Sequence, residues 1–358
     1  MTGVYIIAEA GVNHNGSMEM ARELIDLAAD AGADAVKFQT FVADQLVSRF
    51  ASKAPYQVDL TQSGESQLEM LQKLQLSESQ HKELFKHCQA RNIDFISSPF
   101  DLASIDLLVN QLKVSVLKIA SGEITNAPLL LKAARTDKSI ILSTGMSSLG
   151  EIETALGVLA FGYIARTQNP SPEAFQDCYS SPEGQASLKE KVILLHCTSE
   201  YPAAFADINL LAMDTLRQAF ALQVGYSDHS SGISIAIAAA ARGAAVIEKH
   251  FTLDKRLPGP DHQASLEPDE LYAMVTAIRQ VEMALGTPIK TISPSEISNC
   301  SLVRKSLVAS KTINRGEKFT ADNVGVKRPG TGMAPVYYWE LIGKNAKQDY
   351  KADEMVTE

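Results

Sequence analysis

The chain of 358 residues is poor in the features that mark several protein classes. It holds four cysteines, Cys88, Cys178, Cys197 and Cys300, with no C-x-x-C pair among them, which argues against a disulfide framework and a zinc knuckle and fits reduced thiols in the cytosol. It has no excess of positive charge: 33 basic against 42 acidic residues give a formal net charge of -9. No extended nucleic-acid surface is expected, although a local basic pocket for a small anion stays open. It also lacks a long apolar run. Arg242 interrupts the longest, and the start, Met1 to Ile7, has no basic region and soon meets Glu9, so neither a membrane span nor an export segment is expected. The 45% hydrophobic content is ample for a packed core, in one large domain of roughly 250 residues and a smaller one.

What the chain does have is a recurring unit. Short β-rich runs, each followed by a turn and a helical pattern, fall near Val4 to Glu9, Ala35 to Gln39, Asp94 to Ser98, Val116 to Ala120, Ser139 to Ser143, Val192 to Cys197, Gln223 to Ser227 and Ala245 to Glu248. Eight such units predict an α/β fold, a (β/α)8 TIM barrel over residues 1–286. Two stretches, 41–76 and 166–188, break the alternation and read as insertions. After Leu285-Gly286-Thr287-Pro288 the pattern changes. A linker over 287–300 and a compact β-rich module over 301–358, with turns at Asn314-Arg315-Gly316 and Pro329-Gly330, are expected.

In such a barrel the C-terminal strand ends build the active site. Those ends carry Glu9, Asn13 and His14, then Lys37 and Gln39, Ser98, Lys118 with Ser121 and Glu123, Ser143 with Thr144, and His196 with Thr198. The last two tips carry His229 and His250. Either histidine alone would most simply be a core or capping group; two at adjacent tips, beside Asp228 and Glu248, suit a divalent metal, Mn2+ or Mg2+ in so oxygen-rich a setting. Lys37 and Lys118 lie within apolar runs, where a buried ammonium needs an anionic partner or ligand. Lys118-Ile119-Ala120-Ser121-Gly122-Glu123 is a candidate cradle for phosphate or carboxylate. Ser17 reads as the N-cap of the first helix, and the Gly259-Pro260-Asp261-His262 loop could hold Asp261 over the mouth.

These segments, together with Asn13-His14-Asn15-Gly16, Val36-Lys37-Phe38-Gln39-Thr40, Ser143-Thr144-Gly145-Met146, Glu248-Lys249-His250-Phe251-Thr252 and Lys327-Arg328-Pro329-Gly330, resemble the sialic acid synthases over nearly the whole chain. The resemblance implies a C-terminal antifreeze-like (SAF) domain and condensation of phosphoenolpyruvate with N-acetylmannosamine and water to N-acetylneuraminate and phosphate. It implies that His229 and His250 hold the metal. Lys37, Lys118, Ser121 and Ser227 would surround phosphoenolpyruvate, and Glu123, Tyr201 and Asp261 would line the substrate site. Arg328 would reach the sugar's N-acetyl region across a domain-swapped homodimer in the cytoplasm. Glu9 or Glu123 would move the protons. Asn13, Gln39, Ser98 and Thr198 complete the expected substrate contacts.

Two positions depart from the pattern. Asn15 stands where some bacterial members carry a glutamate, so no general-base role transfers to it. Thr198 and Ser199 stand near where some members offer an asparagine to phosphate, and hydroxyls replace only part of an amide's hydrogen bonding. The rival functions are legionaminic or pseudaminic acid synthesis from a related amino sugar, a Schiff-base sialate lyase using Lys37 or Lys118, and a carbohydrate-binding protein without catalysis.

Overall fold

Eight short strands in the first part of the chain are β1 (Tyr5–Gly11), β2 (Ala35–Thr40), β3 (Asp94–Pro99), β4 (Val116–Ile119), β5 (Ser139–Ser143), β6 (Val192–His196), β7 (Gln223–Asp228) and β8 (Val246–His250). They pair in the order β3-β2-β1-β8-β7-β6-β5-β4, and every ladder is parallel. Because β1 joins β2 on one side and β8 on the other, the sheet curls into a nearly closed barrel; β3 and β4 pack side by side at the seam. This computed structural model describes residues 3–51 and 66–357. It divides into two compact units, Met1–Gly286 and Thr287–Glu358.

Both faces of the strands are apolar in their first halves, as a sheet covered on both sides requires. Outward residues such as Ile6, Val36, Phe38, Leu117, Ile140 and Leu142 pack into the main core beneath the helices. Inward residues Ile7, Ala35, Ile96, Ile141, Leu195 and Val246 form a separate plug inside the barrel. Between β7 and β8 runs the alanine-rich helix Ser234–Ala241, whose small side chains Ala236, Ala239 and Ala240 are buried. The first helix, Met18–Asp30, starts at Ser17, whose hydroxyl accepts the Met20 N–H at 3.3 Å, so the expected cap is present.

The two breaks in the alternation resolve differently. Of the expected insertion at 41–76, residues 52–65 lie outside the described residues, and the rest includes the helices Ala43–Leu46 and Gln67–Leu74. The stretch 166–188 is helical, with Pro172–Ser180 and Pro182–Lys191 packing on helix Leu149–Ile164. Pro172 and Pro182 do not mark a loop, whereas Pro170 does lie in irregular chain before the first of these helices. Each of the two follows a serine that caps its helix, and proline at the first helical position has no N–H to lose.

In the second unit β9 (Ser306–Ala309) pairs antiparallel with β10 (Val324–Lys327). Leu307, Ile313, Phe319, Val324, Tyr350 and Val356 give it a core of its own. Helix Pro294–Val303 begins inside the stretch expected as linker. Arg328 is exposed immediately after β10.

Candidate functional site

Side chains along a strand alternate faces, so each inward residue of the plug is followed two positions on by another inward residue. There the chemistry changes. Ile7 gives way to Glu9, Ala35 to Lys37, Ile96 to Ser98, Val116 to Lys118, Ile141 to Ser143 and Val246 to Glu248, and all six of these polar residues line one cavity of about 520 Å³ at the strand ends.

The charges in this layer are interlocked. Lys37 Nζ lies 2.8 Å from Glu9 Oε2, 3.2 Å from Ser98 Oγ and 3.8 Å from Glu248 Oε2. Lys118 Nζ lies 3.3 Å from Glu248 Oε1, which also accepts the Ser227 hydroxyl at 2.9 Å. Glu248 thus sits between two ammonium groups. Burial opposes its ionisation, but Lys118 and Lys37 overcome it and hold the carboxyl down at about 2. Glu9 goes the other way. Burial pushes it up to about 7, Lys37 pulling back and Glu248 adding its like charge. Two carboxyls driven apart in this way take different roles: Glu248 is a fixed anion and Glu9 can carry a proton near neutral pH. Burial lowers Lys118, although Glu248 resists; for Lys37 burial is outweighed by Glu248 and Glu9, and its pKa is raised.

The histidine pair faces the same cavity, with ring centroids 5.6 Å apart. His229 Nδ1 lies 2.6 Å from the Thr198 carbonyl, which only accepts, so Nδ1 carries the proton and Nε2 keeps its lone pair. Burial pushes His229 down to about 4, and His250 falls well below the ordinary histidine range through burial first and then His229 and Lys37. Both imidazoles are therefore neutral, the form a metal binds. His250 Nδ1 and Ser143 Oγ are buried polar atoms without hydrogen-bond partners, which points to a ligand on this face. Among the described residues no group of three or more His, Cys, Asp or Glu side chains could hold a metal. The pair fits a two-nitrogen site that leaves the remaining positions to water and substrate.

Of the two expected carboxylates, Glu248 shares the cavity with the imidazoles but is held between the lysines, and Asp228 does not join them. Asp228 accepts from Lys249 Nζ at 2.9 Å and from the Ser230 N–H at 2.9 Å, fully buried behind the barrel wall. The alternation explains it: Ser227, His229, Glu248 and His250 line the cavity, whereas Asp228 and Lys249 lie between them on the outer face.

Of the other expected site residues, Gln39, Ser121, Tyr201 and Asp261 line the cavity. The Tyr201 ring lies 4.2 Å from that of His229, and Asp261 Oδ2 lies 3.9 Å from His250 Nδ1. Burial raises the Asp261 carboxyl to about 6. Four residues fall elsewhere. Asn13 is a brace, donating to the Phe251 carbonyl at 2.8 Å and to Ser265 Oγ at 2.9 Å. Glu123 accepts from Asn126 Nδ2 at 2.7 Å at a helix start, off the cavity lining. Thr198 donates its hydroxyl to the Asp207 carbonyl at 3.2 Å and meets the site through its own carbonyl. Arg328 belongs to the second unit. Asn15 takes a left-handed backbone, φ 49°, and donates to the Pro258 carbonyl at 2.9 Å, which suits asparagine better than glutamate.

Glu248, expected only as a carboxylate beside the histidines, instead holds the centre of the charge layer between Lys37 and Lys118. Ser143 and Ser199 also line the cavity. So does an apolar group, Leu46, Val47, Met70, Leu71 and Leu74, that comes from the stretch read as a polar insertion. Gly145 makes the packing of the serines possible: a Cβ there would stand 2.4 Å from Ser199 Oγ and 2.9 Å from Ser121 Oγ.

A TIM-like barrel with a buried, charged cavity at its strand ends, followed by a small β module, defines a two-domain barrel enzyme class. The chain belongs to the NeuB family: the family's profile matches residues 24–290, and that of the SAF domain matches residues 304–358. It is 52% identical to the N,N'-diacetyllegionaminic acid synthase of Campylobacter jejuni over 358 residues, all of both chains. It is 42% identical to the synthase of the same name from Legionella pneumophila, covering 97% of this chain and 92% of that one. Among solved structures, the N-acetylneuraminic acid synthetase of Leptospira borgpetersenii in complex with citrate superposes with a TM-score of 0.67 at 35% identity, covering 83% of this chain and 90% of that one. The expected kinship with sialic acid synthases and the expected fold are both met.

Proposed function

We propose that this chain condenses phosphoenolpyruvate with a di-N-acetylated amino sugar and water, releasing phosphate and N,N'-diacetyllegionaminic acid. The observation that carries the condensation is the buried chain Lys37–Glu248–Lys118 facing two neutral imidazoles in one cavity. The acceptor follows the relatives of 52% and 42% identity, both N,N'-diacetyllegionaminic acid synthases, in preference to the N-acetylmannosamine first expected.

Lys37 and Lys118, with Ser98, Ser121 and Ser143, bind the carboxylate and phosphate of the donor, charge-assisted contacts that strengthen in a dry cavity. His229 and His250 would hold a divalent ion, Mn2+ or Mg2+, which when bound supplies polarisation of the acceptor's aldehyde oxygen. Tyr201, Gln39 and Asp261 orient the open-chain sugar so that donor C3 meets the aldehyde carbon. Water adds at C2, and the resulting tetrahedral centre expels phosphate. Glu9 is the proton carrier, since its carboxyl stands at Lys37 in the cavity while Glu123 is bound outside it. Arg328 of a second copy, in a swapped dimer, would take the acceptor's acyl group.

A Schiff-base lyase requires a neutral lysine: the Glu9 and Glu248 carboxylates keep Lys37 charged, whereas burial lowers Lys118, which is the lysine such a lyase would use. Phosphate release from phosphoenolpyruvate, measured over a panel of amino sugars with and without Mn2+, tests the proposal. Metal-dependent release with the di-N-acetylated sugar is expected. Trapping of a pyruvate adduct by borohydride, with activity surviving chelation, would replace it with the lyase.

A further inference from the structure

One wall of the cavity consists of apolar side chains that the chemistry above leaves unused. Val12, Leu46, Met70, Leu71 and Leu74 line it, and with Phe41 and Ala43 they form an apolar cluster separate from the main core. Helix Gln67–Leu74 presents much of this surface. Met70 and Leu74 are buried four residues apart on one face, and Ser66 and Glu69 fix the helix start with a reciprocal capping box.

The wall meets the polar half of the cavity at Gly11. This residue has φ +52°, and a Cβ there would lie 3.1 Å from Glu9 Oε1 and 3.5 Å from both Gln39 Nε2 and His250 Cε1. Val12 follows directly, so the apolar surface starts where the acceptor-binding groups converge. Phosphoenolpyruvate is small and multiply charged and gains nothing from such a surface. The methyl groups of an N-acylated sugar are the apolar parts of the reaction's substrates.

We propose that this wall receives the methyl of the acceptor's second N-acetyl group and thereby selects di-N-acetylated over mono-N-acetylated hexosamines, an inference that rests on the condensation proposed above. A mono-N-acetylated sugar turns a hydroxyl towards side chains, Val12, Leu46, Met70, Leu71 and Leu74, that carry no hydrogen-bonding group. One methyl in an apolar pocket changes kcat/KM by about 10–200-fold.

The test is phosphate release from phosphoenolpyruvate with a di-N-acetylated hexosamine and with N-acetylmannosamine, for the wild type, Leu71→Gln and Val12→Thr. Leu71 is only half-buried and Val12→Thr is nearly isosteric, so one variant covers for the other if either melts early. The wild type should favour the di-N-acetylated sugar by about tenfold or more, and each folded variant should lower that ratio by about tenfold, chiefly through the acceptor's KM. Folded variants with an unchanged ratio would show that the wall is packing alone. Release by the wild type without preference also sinks the inference and leaves the condensation standing, whereas release with neither sugar overturns the condensation and the inference together.

Discussion

Two residues separate the inert half of the barrel interior from its reactive half. Ile96 and Ile141 in the plug, and Lys37 and Glu248 in the layer above, are held by the same parallel ladders. The lower layer stabilises by removing apolar surface from water. The upper layer opposes folding, because four ionisable groups in it, Glu9, Lys37, Lys118 and Glu248, are all less than 5% exposed, and desolvation of such ions costs at least as much as their attraction returns. The rigid lower half lets the upper half hold charges in the positions that a ligand requires.

The sharpest way to break this comparison is to change one residue in each layer. Lys37→Met removes a charge that Glu9 can answer by taking a proton, and Glu248 keeps Lys118 as a partner, so the loss of stability should stay well below the cost of about 3–5 kcal/mol for a buried pair broken to leave an unpaired charge. Phosphate release should fall by about 10²–10³-fold or more, as for loss of a donor aimed at transition-state charge. Ile141→Ala should do the reverse, costing about 2–4 kcal/mol in chemical denaturation while folded enzyme keeps most of its turnover. If Lys37→Met unfolded the barrel, or Ile141→Ala left stability intact, the division of labour between the layers would be wrong.

The same layering decides what could be read beforehand. The strands were legible because both faces of their first halves are apolar, and each observed strand end falls within a few residues of its expected one. The cavity was legible because polar residues such as Lys37, Lys118 and His250 have no reason to end a buried strand unless something needs them. What failed was facing. Asp228 adjoins His229 in sequence but lies on the opposite face, whereas Glu248, two residues from His250, shares its face. Helices Pro172–Ser180 and Pro182–Lys191 were hidden because proline reads as a loop former until its position after a capping serine is weighed. The apolar wall was hidden among Gln, Ser and Glu, its few large side chains too short a pattern to stand out. Asn13 and Thr198 are polar tip residues that serve the backbone.

Titration sharpens the contrast between the rim and the plug, which has nothing to titrate. His14 is buried on the rim, and its Nδ1 accepts the Gly16 N–H at 3.0 Å, so the native state keeps it neutral. Burial lowers it to about 4 from 6.5. A folded pKa below the unfolded one means that the unfolded chain binds more protons between these values, so stability is full above pH 6.5 and is lost as pH falls towards 4. The loss from this residue is at most about 3 kcal/mol, on the order of 1.4 kcal/mol per unit. Denaturation of His14→Asn, whose amide oxygen can still accept from Gly16, should show a flatter acid limb than the wild type. An unchanged limb would place the acid sensitivity at other histidines.

The smallest effect separates residues that hold the rim from residues that hold a ligand. Ser17 closes the loop after β1, and its hydroxyl meets the free N–H of Met20 at a helix start. Such a cap is worth about 0.5–2 kcal/mol, and Ser17 does not line the cavity. Ser17→Ala should therefore lower the denaturation midpoint by that amount and leave the KM for both substrates where it was, whereas Ser98→Ala, one barrel position from Lys37 and within 3.2 Å of its ammonium, should raise the donor's KM with little change in stability. Two serines, one in the turn after β1 and one on β3, would then answer to different tests, because one oxygen accepts a backbone proton outside the cavity and the other faces its charges.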